Sequence, residues 1–427
     1  VKPGELAARD RTCVWHPYTQ HRTEVAPLEV VRARGARLEL SDGRRIVDGI
    51  SSWWTCLHGH GHPRLVEALA RQAAELDHVI FAGATHEPAV RLAEELIALA
   101  PPGLSRVFYS DNGSAAVEIA LKMAYQSHLW RGEGTRRVFV VLEGGYHGDT
   151  FGAMSVGDPD PFFEPFRPLL FEARRVPVAS GAIAAALDEL GERAAGVLVE
   201  PLVQGAGGMR MHGPQFLREA RAAATAAGVP LIADEVMTGF GRTGAVFACE
   251  RAGVAPDLMC LAKGLTGGTM PLAATLAREE LFAAFLDERR SRAFFHGHSF
   301  TAHPLGCAVA LASLAVLRSE RTPERLDALG ARIAARLERE LPEEVGRPRR
   351  TGGIVAFDAQ ASDAGYLSTL GPLLRRTALE HGVLLRPLGD TCYALPPSCL
   401  DAVEEGLVVD ALVACAGAAV LGRKRST

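Results

Sequence analysis

From about Arg106 to Ala277, short apolar runs alternate with stretches of helical composition. The runs are Val107–Ser110, Val138–Leu142, Val197–Glu200, Leu231–Asp234, Leu258–Ala262 and Leu272–Leu276. Helical stretches such as Ala115–Trp130 and Gly213–Gly228 lie between several of them. This alternation predicts an α/β fold, with a mostly parallel central sheet covered on both faces by helices. In such sheets ligands bind beyond the carboxyl ends of the strands. Asp234 and Lys263 both fall at such ends.

Lys263 follows Leu258-Met-Cys-Leu-Ala262 and precedes Gly264. A lysine at the edge of a dry pocket loses basicity, because burial disfavours the ammonium. That suits a Schiff-base lysine. A carboxylate and a lysine at the ends of two successive strands are what pyridoxal phosphate needs. The lysine holds the aldehyde, and the carboxylate keeps the ring nitrogen protonated so that the ring is an electron sink. Glu235, beside Asp234, points to the other face if the strand continues.

Other segments suit the same cofactor. Tyr109-Ser-Asp-Asn-Gly-Ser-Ala-Ala-Val117 passes from strand through a turn into a helix, a phosphate seat or an ordinary helix capped by Asn112 or Ser114. In Gly144-Gly-Tyr-His-Gly-Asp-Thr150, Tyr146 can stack on a planar ring and Asp149 can accept from a substrate amine. Arg242 is either a loop ion pair or an indirect contributor to substrate binding. Arg386 either grips a substrate carboxylate or forms a surface salt bridge. Trp53 and Trp54 cannot both face one core in an extended strand, so one of them lines a cavity or an interface.

Composition narrows the class. The 427 residues carry a net charge of −4, which gives no sign of nucleic acid or an acidic membrane as partner. Eight scattered cysteines, none in a Cys-x-x-Cys pair, favour a reducing, cytoplasmic compartment. The histidines at 58, 60 and 62, and those at 296, 298 and 303, have no matching set of acids or cysteines, so no metal is expected. The apolar tract Ala411–Gly422 is too short to span a bilayer and reads as a buried C-terminal helix. Three parts are expected. Residues 1–60 form an N-terminal segment, with short antiparallel strands in Leu28–Leu40 and Arg44–Ile50. Residues 61–320 form a large cofactor-binding α/β domain. Residues 321–427 form a small α+β domain, with helices at Pro323–Leu341 and Tyr366–Glu380 and strands at Gly353–Phe357, Val383–Pro387 and Cys392–Leu395.

Together these segments resemble the class III pyridoxal-phosphate aminotransferases of fold type I, from about Trp15 to Pro397. Asp234–Gly244 with Ala262-Lys-Gly264 carry the class signature. Trp15-His-Pro-Tyr-Thr-Gln20, Ser51-Ser-Trp-Trp54, Gly145-Tyr-His-Gly-Asp-Thr150 and Met237 are similar to one branch of it. That branch moves an amino group to 7-keto-8-aminopelargonate in biotin biosynthesis, generally from S-adenosylmethionine, by a ping-pong mechanism.

The resemblance implies roles. Lys263 would hold the cofactor and then move the proton, Asp234 would pair with the ring nitrogen, and Tyr146 would stack on the ring. Gly113 and Ser114 would hold the phosphate. Tyr18, Trp53 and Asp149 would line the pocket for the keto-amine, and Arg386 would bind a substrate carboxylate. Gly297, His298 and Ser299 would reach over from the second subunit of a homodimer. His298, Ser299 and His303 depart from the proline, threonine and asparagine common in that branch, and Phe294–Ala310 is closer to relatives that use lysine as donor. The paired tryptophans favour S-adenosylmethionine. Lysine as donor, or a broader ω-amino-acid:pyruvate exchange, are the alternatives.

Overall fold

The computed structural model describes residues 2–158 and 162–426. Seven strands form the central sheet, in the order Leu104–Ser110, Ala273–Arg278, Leu258–Leu261, Leu231–Asp234, Ala194–Val199, Val138–Leu142, Ala173–Val176. Ala273–Arg278 runs antiparallel to both neighbours, and the remaining pairings are parallel. The sheet is therefore mostly parallel, as the alternation predicts. Ala173–Val176 is a strand absent from the expected set. Its Ala-Arg-Arg-Val sequence has no apolar run, because it is a half-exposed edge.

Side-chain alternation splits the core into two layers. Val140, Val197, Ala233 and Met259 face one side, against the helices Glu87–Leu99, Ala182–Leu190 and Pro214–Ala226. Val141, Leu198, Ile232 and Cys260 face the other, against the helix Gly113–Trp130. A strand buried on both faces reads as a continuous apolar run, which is why these strands are visible in the sequence.

The first strands, Val30–Arg34, Arg37–Leu40 and Arg45–Asp48, are antiparallel. Their sheet is completed by Val383–Leu384, parallel to Arg45–Asp48, so the N-terminal strands share a sheet with the C-terminal part. A separate antiparallel sheet contains Arg349–Thr351, Ile354–Asp358 and Thr391–Ala394. Helices Thr322–Glu340, Leu370–Glu380 and Ala402–Ser426 pack with it around one apolar cluster. The second of these begins at Leu370 rather than Tyr366. Asp363 accepts from Ser368 Oγ and from the Thr369 N–H, which fixes the preceding residues as a loop. The last helix is longer than expected, and Ala402–Gly422 has the length and apolarity of a membrane span. Val408, Leu412, Cys415 and Ala419 are nevertheless fully buried in that same cluster.

Glu235 shows how strand alternation sorts two adjacent acids. It points away from Asp234 into the protein, where it accepts from Thr238 Oγ1 (2.6 Å), Ala248 N (3.0 Å) and Cys249 N (2.8 Å). It thereby caps the short helix Ala248–Ala252. Replacing Glu235 by Ala orphans three buried donors. A loss of about 2 kcal/mol or more is expected, read as a lower denaturant midpoint.

Candidate active site

Adjacent strands bring their carboxyl ends to one cleft. Asp234 closes the strand Leu231–Asp234, Glu200 follows Ala194–Val199, and Lys263 follows Leu258–Leu261. His147 comes from the loop after Val138–Leu142, and its Nδ1 lies 2.7 Å from Asp234 Oδ2, with both side chains buried. Asp234 Oδ1 accepts from Val236 N at 3.0 Å. Burial pulls the His147 pKa down, but the bond to Asp234 and the nearby carboxylates outweigh it, so the imidazole is more basic than usual. Glu200 accepts from Tyr146 N (3.1 Å) and Gly205 N (2.9 Å). Burial raises its pKa to about 7, with Asp234 acting in the same direction and His147 against it.

Lys263 has a left-handed φ of 43°, and its Nζ lies 4.7 Å from the centre of the Trp54 ring. Burial lowers its pKa, opposed by Asp234 and Glu200. The amine is thus less basic than a free lysine while staying beside two carboxyl groups.

His147, Glu200, Asp234 and Lys263 line a cavity of about 730 Å³ together with Gly113 and Ser114. Gly113 opens the helix Gly113–Trp130, and Asn112 caps it by accepting from Ala115 N at 2.9 Å. Only glycine fits at 113, since a Cβ there would lie 2.7 Å from Val236 Cγ1. Ser114 Oγ accepts from Thr150 N at 3.0 Å. A helix start, a buried carboxylate and an amine of lowered basicity in one cavity are the groups that pyridoxal phosphate requires.

The far wall is aromatic. Tyr18 Oη donates to Asp149 Oδ2 at 2.5 Å and lies 2.9 Å from Tyr146 Oη. Phe162 meets Tyr18, Tyr146 and Tyr366 edge-on, at centroid distances of 5.7, 6.0 and 4.5 Å. Arg386 Cζ lies 4.6 Å from the centre of the Trp53 ring. Its guanidinium pairs with no carboxylate among the described residues, so the surface salt bridge is not what this arginine forms.

The tryptophan pair is not extended. Ser51, Ser52, Trp53 and Trp54 have φ of 50°, 43°, 68° and 75°, a left-handed turn that sends Trp53 outward and buries Trp54. Arg242 belongs to this turn. It is fully buried and donates to Trp54 O (3.2 Å) and Pro396 O (2.8 Å), so it forms no loop ion pair and touches the cavity only through Trp54. Burial lowers its pKa to about 10.

Gly297, His298 and Ser299 do not line this chain's cavity. His298 Nε2 lies 4.0 Å from Asp111 Oδ1, at the cavity edge, and Gly297 and Ser299 are exposed. Among the lining residues that the sequence does not single out are His147, Glu200, Phe162 and Tyr366. Glu200 carried the same signal as Asp234, an acid ending an apolar run. His147 lay inside the motif that supplied Tyr146 and Asp149.

A parallel sheet with one reversed strand, bearing this lysine, carboxylate and helix start, defines fold type I of the pyridoxal-phosphate enzymes. The profile of the class-III aminotransferases matches residues 18–415. The chain belongs to that family. It is 51% identical to adenosylmethionine-8-amino-7-oxononanoate aminotransferase of Synechococcus elongatus, over 92% of this chain and 95% of the relative. The crystal structure of the enzyme of that name from Methanocaldococcus jannaschii superposes with a TM-score of 0.91 at 34% identity, covering 96% of this chain and 98% of the other. An amine transaminase from an uncultivated Pseudomonas species, solved in a PLP-bound form, gives 0.87 at 32% identity, covering 94% and 98%.

His147 provides a test of the site. His147→Leu removes the donor to Asp234, whereas His147→Asn retains an N–H. Retention of pyridoxal phosphate on dialysis, followed by absorbance, is expected to weaken about tenfold or more in the leucine variant and less in the asparagine variant.

Proposed function

We propose that this protein transfers an amino group to 7-keto-8-aminopelargonate, giving 7,8-diaminopelargonate for biotin biosynthesis, with S-adenosylmethionine as donor. The observation that carries the reading is that neighbouring tryptophans each seat one cation of the same cavity. Lys263 rests on Trp54 and Arg386 on Trp53. A long-chain keto acid has a reacting carbonyl and a distant carboxylate, and this arrangement offers an amine for one and a guanidinium for the other. The shared name of the relatives supports the same acceptor and donor.

Bound here, pyridoxal phosphate supplies an aldehyde that carries the amino group between substrates and a ring that accepts the electron pair released from a substrate carbon. The chain's own residues do the rest. Gly113 and Ser114 would hold the phosphate at the helix start. Asp234 would pair with the ring nitrogen, with His147 keeping that carboxylate oriented. Tyr146 would cover the ring. Lys263 Nζ would hold the aldehyde between turnovers and, once released, would move the proton from the donor's carbon to the former aldehyde carbon, and back the other way for the acceptor, so that the amino group changes carrier. Burial lowers its basicity, which favours the uncharged amine that proton transfer uses. Tyr18, Asp149 and Trp53 contact the acceptor, with Asp149 taking its 8-amino group, and Arg386 binds the carboxylate of whichever substrate is present.

The working unit is a homodimer in which Gly297, His298 and Ser299 of each copy complete the other's site. Phe295 and Phe300 flank this segment and are 70% and 55% exposed, which supports a subunit contact there. Eight cysteines without a disulfide support a reducing, cytoplasmic setting.

The test is a pair of half-reactions on the cofactor-loaded protein, with S-adenosylmethionine alone and with lysine alone. Loss of the cofactor's visible band with S-adenosylmethionine is expected; a response to lysine alone would overturn the donor. Turnover of ω-amino acids with pyruvate, and none of 7-keto-8-aminopelargonate, would overturn the acceptor. Lys263→Ala is expected to lower turnover by about a thousandfold or more.

A further inference from the structure

Tyr366 belongs to none of the motifs that carry the family resemblance, yet the fold fixes it against the segment that bears Arg386. Asp390 Oδ1 accepts from Gly365 N at 2.9 Å, and Oδ2 from Ala361 N at 3.3 Å. Gly389 has a φ of +61°, and a Cβ there would lie 1.6 Å from Gly365 O. The backbone just before Tyr366 and the backbone just after Arg386 are therefore in direct contact.

The side chains meet as well. Arg386 Nη2 donates to Tyr366 Oη at 3.3 Å, while the guanidinium rests on the Trp53 ring. The Tyr366 ring is held edge-on by Phe162 at 4.5 Å. Tyr366 also lines a second, adjoining cavity of about 1020 Å³ that reaches Arg210 and Asp363. A tyrosine oxygen that accepts from Arg386 still has its own O–H to donate. A carboxylate has two oxygens to satisfy. Arg386 N–H and Tyr366 O–H together match it, and they do so with a guanidinium that has no carboxylate partner among the described residues.

We propose that Tyr366 is a positioning and specificity-determining residue, orienting Arg386 and donating to the second oxygen of a substrate carboxylate, so that the cavity selects straight-chain acids over neutral analogues. This rests on the carboxylate role of Arg386 given above. A neutral chain of equal length gains nothing from either donor. Tyr366→Phe keeps the ring and its contact with Phe162 but loses both hydrogen bonds.

The experiment titrates nonanoate, the unreactive parent acid of the proposed acceptor, and nonan-1-ol into cofactor-loaded wild type and Tyr366→Phe. Binding is read by tryptophan fluorescence, since Trp53 lies against Arg386. Nonanoate is expected to bind about tenfold more weakly to the variant, with nonan-1-ol unchanged. KM for 7-keto-8-aminopelargonate is expected to rise by about the same factor while kcat holds within about twofold. Gly389→Ala, which displaces the loop, is expected to reproduce the loss for nonanoate. Equal binding of nonanoate to both proteins, no binding to the wild type, or equal loss of the acid and the alcohol would each overturn the proposal. Failure of the proposed acceptor looks different: the wild type would not turn over 7-keto-8-aminopelargonate, yet the nonanoate difference would persist.

Discussion

The molecule is arranged around a small set of charges that water cannot reach freely. Glu200, Asp234 and Lys263 end or follow three strands that lie side by side in the sheet, and His147 follows the next strand along. An isolated charge in such a place costs several kcal/mol, and the cost is offset only by partners with good geometry. The two carboxyl groups have them. Asp234 has His147 and a backbone N–H, and Glu200 has two backbone N–H groups. Moving one strand by a single residue would exchange the two faces of that strand and leave these groups unpaired. The doubly buried apolar strands, which resist such a slip, are thus the condition for the chemistry as well as for the fold.

The left-handed turn at Ser51–Trp54 is the complementary case, in which local strain is accepted for the sake of the site. Four consecutive residues other than glycine in this region cost about 1 kcal/mol or more each. The surroundings over-determine the turn. Asp48 accepts from Ile50 N, Ser52 N and Ser52 Oγ; Ser51 Oγ donates to Leu395 O; Trp54 Nε1 donates to Tyr393 Oη; and Arg242 holds Trp54 O. An extended chain would send adjacent side chains to opposite faces. The turn instead lets both indoles take part in one cavity.

What the sequence disclosed follows this division. The strands are apolar on both faces, so their limits and terminal charges are readable without coordinates, and Asp234, Lys263 and Gly113 stand out for that reason. The opposed directions of Asp234 and Glu235 follow from strand alternation alone. Glu200 was equally visible in kind. The left-handed turn was not, because no local signal such as glycine announces it, and apart from Asp48 its support comes from residues far along the chain. Arg242 is left between two readings by sequence for the same reason: its partners are two carbonyls brought together only by the fold. Phe162 and Tyr366 are ordinary aromatics in loops, and only the contact between them gives them significance. The reversal of Ala273–Arg278 also leaves no trace in composition, since strand direction depends on connection and not on side chains.

That reversed strand has a kinetic consequence. Leu104–Ser110 is the first strand of the central sheet in the chain, and its only neighbour is Ala273–Arg278, the last. Closing so long a loop costs entropy before any pairing is gained, and contacts of this separation slow folding. The helix carrying Gly113 and Ser114 follows directly from that first strand. On a ribosome, the helix-start end of the cleft therefore waits for the last strand of the sheet to emerge, while the strands bearing Glu200, Asp234 and Lys263 can already associate with one another.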